Sequence, residues 1–304
     1  MAAAMALMLA GAVIGPASAR AGDGPAGFWE GTDSWYMNVT GSGPYGEPVL
    51  GGDYGGYMGM IGSWEWWLGC RGAFLAWSKL NSAQADGNFT AYGKGVGTGG
   101  YWFMGGPGVD PHYNGAAGEA YAWGARQAAR ALSDIERLTG NQRVIYPVLW
   151  MDVELPGIRP APDNGWDSVY TSPCSGRVKQ RYVRTALDRA DFNGFWDYLS
   201  AHSSYQPGVY SAPEIWSRIF GTGAASRISN TDEWTYQPET SDLTQAPAGW
   251  CRKGGCARFF GGITSASRHA LMWQWSGGGG VRNGYGDFDQ IDKSRAGPGA
   301  GTSG

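Results

Sequence analysis

Histidine is scarce in this chain: His112, His202 and His269 are the only three in 304 residues. None stands at a ligand-like spacing from a cysteine, so the sequence offers no zinc motif, and neither a metal nor a cofactor is expected. Charge is also thin and balanced, with 23 Lys and Arg against 26 Asp and Glu and no basic stripe. Nucleic acid is therefore not an expected partner. Beyond the first residues no apolar run is long enough to cross a bilayer. Cysteine is limited to Cys70, Cys174, Cys251 and Cys256. An even number fits two bridges in an oxidising compartment, with Cys251 and Cys256 as the local pair and Cys70 with Cys174 across a long loop. No internal repeat and no separate second domain is visible.

What the chain has in quantity is glycine and flat amphipathic side chains: 52 Gly, 16 Trp and 16 Tyr. Aromatics with a polar edge suit a sugar-binding cleft, and they also fill cores. The start, Met1 to Gly15, is apolar and small-residued, and Pro16-Ala-Ser-Ala19 follows it as a cleavage-like site. Residues 1–19 are read as a signal peptide, and the mature protein as exported, to the medium or the cell envelope, with no membrane span and as a monomer. Residues 294–304 read as a flexible tail.

The stretch Val144 to Glu154 is an apolar run ending in two carboxylates one residue apart, and it reads as a buried strand. Strand alternation puts Asp152 and Glu154 on one face, where their repulsion tends to keep one protonated near neutral pH. A protonated carboxylic acid is a proton donor. The plainer alternative is that one acid caps a turn and the other meets a surface Arg.

Other elements follow in order. Gly27 to Tyr36 reads as a short strand that delivers Asp33 into a loop, and Pro48 to Cys70 as extended, loop-rich chain. Ala73 to Asn81 has the spacing of a short amphipathic helix. The glycine run before Gly100 lacks the order of a phosphate-binding loop and leads into the strand Gly100 to Met104. Helices are expected over Glu119 to Leu138, Arg181 to Ser203 and Pro213 to Phe220, and strands over Gln206 to Ser211, Asp232 to Gln237 and His269 to Ser276. Strands alternating with helices imply a mostly parallel sheet. Over residues 20–293 that is an irregular α/β, TIM-like (β/α) barrel in a single domain, since such barrels need ~250 residues and carry their sites at the C-terminal strand ends. Tyr210, Trp234, Tyr236, Trp273 and Trp275 fall at such ends, as Asp152 and Glu154 do.

Five stretches in this order carry a family resemblance: Gly31-Thr-Asp33, Gly100-Tyr-Trp-Phe103, Asp152-Val-Glu154, Gly208-Val-Tyr-Ser211, and Leu271-Met-Trp-Gln-Trp275 with Asp287-Phe-Asp289 after it. The chain resembles the family-25 glycoside hydrolases, secreted lysozymes that cleave peptidoglycan, and especially the glycoside-hydrolase-like domains of exported actinobacterial proteins. The resemblance spans Gly27 to Lys293, and the region from Asp53 to Gly97 and the Pro-rich loop after Glu154 depart from it. It implies an irregular barrel and hydrolysis of a glycosidic bond in peptidoglycan or a related polysaccharide. Glu154 takes the proton-donor position, and Asp152, Asp33 and Asp287 line the same pocket. Asp152 would act as nucleophile, electrostatic partner or orienter of an acetamido group. Asp289 competes with Asp287 for the last of these places, although both Asp289 and Asp292 read first as turn or surface acids. The competing reading is a non-catalytic barrel that binds glycan on a stacking surface of Trp102, Trp234, Tyr236, Trp273 and Trp275.

Overall fold

The computed structural model describes residues 28–34, 56–64, 74–76, 97–139, 148–155, 165–166, 170–171, 178–179, 185–221, 227–228, 231–237, 262–264, 268–276 and 287–292. The expected signal peptide, the C-terminal tail and all four cysteines lie outside them.

Nine strands form the main sheet: β1 (Phe28–Ser34), β2 (Gly56–Trp64), β3 (Phe74–Ala76), β4 (Gly97–Phe103), β5 (Val148–Asp152), β8 (Gln206–Ser211), β9 (Asp232–Tyr236), β10 (Met272–Ser276) and β11 (Asp287–Asp292). Two short strands between β5 and β8, β6 (Tyr170–Thr171) and β7 (Val178–Lys179), pair with each other alone. The described residues also form three α-helices, α1 (Ala117–Thr139), α2 (Thr185–His202) and α3 (Pro213–Phe220), and a 3-10 turn at Pro107–Val109. The sheet order is β1-β11-β10-β9-β8-β5-β4-β2-β3, and β1 also pairs with β2. From β1 through β2, β4, β5, β8 and β9 to β10 each pairing is parallel. Within the described main sheet, β11, against β10 and β1, and β3, against β2, run antiparallel. The α/β class with a mostly parallel sheet is as expected from the alternation of elements.

Two readings of the early chain are corrected. Gly56–Trp64 is a central strand hydrogen-bonded to β1 and β4, where the sequence reads as loop-rich. Six of its nine residues are Gly, Ser or Met, a composition that hides a strand because glycine lacks β propensity while pairing on both sides supplies the order. Phe74–Ala76 is a strand and not part of a helix. β1 pairs with β2 only as far as Gly59, and β3 pairs with Gly62, Ser63 and Trp64 beyond it, so the backbone bonds of a vacant edge override a short helical spacing.

One face of the sheet packs on the helices. Leu149, Met151, Val153 and Val209 meet Ala128, Ala131 and Ile135 of α1, Phe192, Phe195 and Leu199 of α2, and Trp216, Ile219 and Phe220 of α3 in one apolar core. The recurrence of these residues every three or four positions makes each helix amphipathic. α3 starts on Pro213, whose missing N–H is no loss in a first turn. On β9, Glu233 pairs with Arg268 at 2.9 Å and accepts from the Ile263 amide at 2.6 Å, tying the segment before β10 to the sheet.

α1 and α2 cross at two glycines. A Cβ on Gly124 would stand 1.9 Å from the Asp191 carbonyl oxygen, and one on Gly194 would stand 1.9 Å from that of Tyr121. Beside the crossing, Asp191 is fully buried; its Oδ1 accepts from Gln127 Nε2 at 3.4 Å and its Oδ2 has no partner among the described residues. Burial pushes its carboxyl well above the usual carboxylate range, Asp188 and Asp110 push it the same way, and Arg126 opposes them. A carboxyl raised in the folded state contributes stability below its unfolded-state value and loses it as pH climbs to the folded-state value. Asp191→Asn is therefore expected to raise the Tm at neutral pH by a few degrees and to flatten the fall in Tm from acid to neutral pH. Calorimetry reads both, and a lower Tm at neutral pH would contradict the assignment.

Candidate active site

The other face of the sheet carries the polar groups. Its base is aromatic. The ring of Trp234 (β9) lies 5.7 Å from Trp150 (β5), 6.2 Å from Tyr101 (β4) and 4.6 Å from Tyr210 (β8), centroid to centroid. Gly208 makes room for the Trp150 indole: it is the Cα partner of Trp150 across β5 and β8, and a Cβ there would meet the ring at 2.5 Å. Edge-on and tilted packing of this kind suits the ring quadrupoles. The indole N–H of Trp234 donates to Asp289 Oδ1 at 2.8 Å, and Asp289 is fully buried. The reading of Asp289 as a turn or surface acid is thus corrected. It sits within β11, opposite Gly31 and Gln274 in register, where Trp234 satisfies one of its oxygens.

Towards the C-terminal ends of the parallel strands the lining turns acidic. Asp152 is the last residue of β5, 6 % exposed, with Phe103 and Tyr210 as its Cα partners. Its carbonyl accepts from the Met104 amide at 2.9 Å, and Val153 donates to the Tyr210 carbonyl at 3.0 Å, so sheet geometry continues past the strand end. Val153 packs in the helix-side core. Alternation therefore leaves half-buried Glu154 on the side of Asp152. Asp152 Oδ1 is buried with no hydrogen-bond partner among the described residues. Burial pushes its carboxyl well above the usual carboxylate range, and the charge of Glu154 pushes it further in the same direction.

Asp33 is equally buried within β1 rather than in a loop, and Asp287 at the start of β11 is its Cα partner. Gln274 Nε2 donates to Asp33 Oδ2 at 3.1 Å, and the Tyr210 hydroxyl donates to Gln274 Oε1. Tyr236, half-buried, is the Cα partner of Gln274, and its ring lies 6.4 Å from that of Tyr210. The structure thus gathers Asp33, Asp152, Tyr210, Trp234 and Tyr236 on one face, with Glu154 at its rim. It does not bring Trp102 or Trp273 there. Trp102 is 0 % exposed in the helix-side core, with its N–H on Gln127 Oε1 at 3.3 Å. Trp273 is buried on the side of β10 opposite Gln274, donating to the Gln237 carbonyl at 3.0 Å. Trp275 is buried as well.

Gln274 carries no role in the sequence reading. A signal for it exists, since an amide between two tryptophans in an apolar strand must face away from both. Of the residues that floor the site, Trp150 reads only as an apolar strand residue, and Tyr101 falls in the aromatic stretch Gly100 to Phe103 with no site role of its own. Among the described residues no group of three or more His, Cys, Asp or Glu could hold a metal ion.

Fold and site together define an α/β protein whose mostly parallel sheet presents carboxylates at its strand ends. The sequence matches no protein-family model and no curated protein. Among solved structures the chain is similar to the spore cortex lytic enzyme SleM of Clostridium perfringens, at 14 % identity, covering 90 % of this chain and 70 % of that one with a TM-score of 0.54. It is also similar to the catalytic domain of endolysin ply40 from bacteriophage P40 of Listeria monocytogenes, at 11 % identity, 92 % and 100 % coverage and a TM-score of 0.51. A family GH25 lysozyme from Aspergillus fumigatus overlaps at a TM-score of 0.47, with 13 % identity and 87 % and 93 % coverage. At these identities the likeness is one of fold.

Proposed function

We propose that this protein is a glycoside hydrolase that cleaves glycosidic bonds of cell-wall glycan, with Glu154 as general acid and Asp152 as its partner carboxylate. The observation that carries the reading is Asp152 itself: a buried carboxyl at a strand end, its Oδ1 without a hydrogen-bond partner among the described residues, raised by the charge of a second acid that stands nearer solvent. Such a pair holds one proton between them. Entry of a sugar whose anomeric carbon gains positive charge favours the ionised form of Asp152, which moves the proton to Glu154 for delivery to the departing glycosidic oxygen. Water then completes the hydrolysis, and Asp152 stabilises the charge in between. Asp33 and Asp287, Cα partners across β1 and β11, are assigned to the same pocket.

An irregular (β/α) barrel suits this reading. β1 is bonded to β11 on one side and to β2 on the other, which supports closure of the sheet on itself. The names of two structures of similar fold, a spore cortex lytic enzyme and an endolysin, support cell-wall glycan as the substrate class. The described helices include none long and apolar enough to cross a membrane. We assign residues 1–19 to an export signal and residues 20–293 to a monomeric catalytic unit acting outside the cell or in its envelope, with 294–304 as a tail. The stacking-surface alternative has little support, because Trp102, Trp234, Trp273 and Trp275 are each buried.

The test is incubation of the purified protein with peptidoglycan sacculi and chitooligosaccharides, with borohydride reduction and mass spectrometry of the products. New reducing sugar ends are expected. Binding to these glycans with no new reducing end on any of them would overturn the hydrolase reading.

A further inference from the structure

We infer that Gln274 is a positioning residue of this site, an amide that locks Asp33 and Tyr210 into one hydrogen-bonded unit spanning the polar face. Its effect on turnover rests on the hydrolase reading; its geometry does not. Gln274 is buried on β10, and its neighbours in the sheet are β9 and β11. Its side-chain bonds to Asp33 and Tyr210 go past both. Nε2 reaches Asp33 on β1, beyond β11, and Oε1 receives the hydroxyl of Tyr210 on β8, beyond β9. On a flat sheet strands two places apart lie about 9.6 Å from each other. One short amide joins partners on both sides because the strands curve around this face.

The direction of the chain follows from the amide. Nε2 only donates and faces Asp33 Oδ2; Oε1 only accepts and faces Tyr210, so the tyrosine hydroxyl donates. Its proton committed, Tyr210 offers only oxygen lone pairs to anything that enters the site. It therefore suits a hydroxyl or amide N–H of the ligand. An apolar side chain at 274 would remove a donor from buried Asp33 and an acceptor from buried Tyr210 together, releasing both from a common geometry.

Two substitutions test this. In Gln274→Glu the new carboxyl, while protonated, reproduces the amide, its O–H donating to Asp33 and its C=O accepting from Tyr210. Once ionised it has no proton to donate to Asp33 and repels it. Gln274→Glu is expected to approach wild-type kcat at the acid end of the profile and to fall about 10- to 100-fold below it as pH rises through the carboxylate range. Gln274→Met should lose about 10- to 100-fold in kcat at every pH, with KM within about twofold. Asp152, Glu154, Asp289, Tyr101 and Tyr236, the other titratable groups described on this face, and Asp287, the Cα partner of Asp33, are common to all variants and drop out of the comparison. A merely structural amide would lower the Tm in both variants and leave the shape of the pH profile unchanged.

The same samples give a readout that needs no substrate, the titration of the Asp33 carboxyl carbon followed by NMR. It is expected to shift between wild type and Gln274→Glu. An unchanged Asp33 titration, or wild-type kcat in Gln274→Met, overturns the inference. Should the wild type hydrolyse no glycan while the Asp33 titration still responds to Gln274→Glu, the hydrolase reading fails and the positioning unit stands. If either variant does not fold, Tyr210→Phe, which removes only the hydroxyl, is expected to shift the same Asp33 titration, and no shift there overturns the inference too.

Discussion

Glu154→Gln is expected to lower the turnover of peptidoglycan by about 10²- to 10⁴-fold, the usual loss when a general acid is removed. The substitution keeps the shape and hydrogen-bonding capacity of a half-buried side chain and removes its proton. The fold has little to lose. The charge of Glu154 is one of the two causes that hold the Asp152 carboxyl high, so its removal relieves a buried repulsion, and the Tm at neutral pH is expected to stay level or rise slightly. In the wild type the pair must retain one proton to act. Burial and the second charge both move that retention upward. Activity is therefore expected to persist above the ordinary carboxylate range and to fall as pH climbs through the upper apparent pKa of the pair. Initial rates of reducing-end release across pH, with calorimetry alongside, read both effects. Wild-type rates in Glu154→Gln would remove Glu154 from the chemistry.

The largest expected loss of stability is from Gly194→Ala, with Gly124→Ala close to it. Each new methyl would fall 1.9 Å from a backbone carbonyl oxygen of the facing helix, and a backbone atom, unlike a side-chain end, has no rotamer to escape into. The helices must move apart. That separation opens the core formed by Ala128, Ala131, Phe192 and Phe195 and stretches the Tyr121 hydroxyl bond to Asp197, which is 3.0 Å long. Overpacking costs about 1–3 kcal/mol where side chains can yield, and a clash between two backbones should reach or pass the upper value. Gly118→Ala is the control. It lies in the same helix as Gly124 with nothing within 4 Å of its Cβ position, and there the helix propensity of alanine should leave stability equal or raised by up to about 1 kcal/mol. Calorimetry of the three variants decides, and equal Tm values for Gly118→Ala and Gly194→Ala would refute close helix contact.

Much of this architecture is legible in the sequence because it depends on local pattern. The helices Glu119 to Leu138 and Arg181 to Ser203 are expected from apolar spacing and found as Ala117–Thr139 and Thr185–His202. The strand at Gln206 to Ser211 is found with those bounds. β2 is hidden because a glycine-rich strand takes its order from partners on both sides, and no local pattern announces them. The acids divide in the same way. Asp152 and Glu154 can be read from one strand end, whereas Asp289 looks like a surface turn residue until the Trp234 indole is seen to bond it in the interior.

Spacing along single elements determined the α/β alternation, the three helices, the strand ending in Asp152 and Glu154, and the alternation that separates Gln274 from its flanking tryptophans. These are short-range consequences of the 3.6- and 2-residue periods. Only the tertiary structure decided which tryptophans are core and which floor the site, that two glycines set the α1–α2 distance, and that Gln274 links Asp33 to Tyr210. Those partners lie 241 and 64 residues from Gln274 in the chain. Contacts across such separations depend on how the sheet curves and packs, and no local period encodes that.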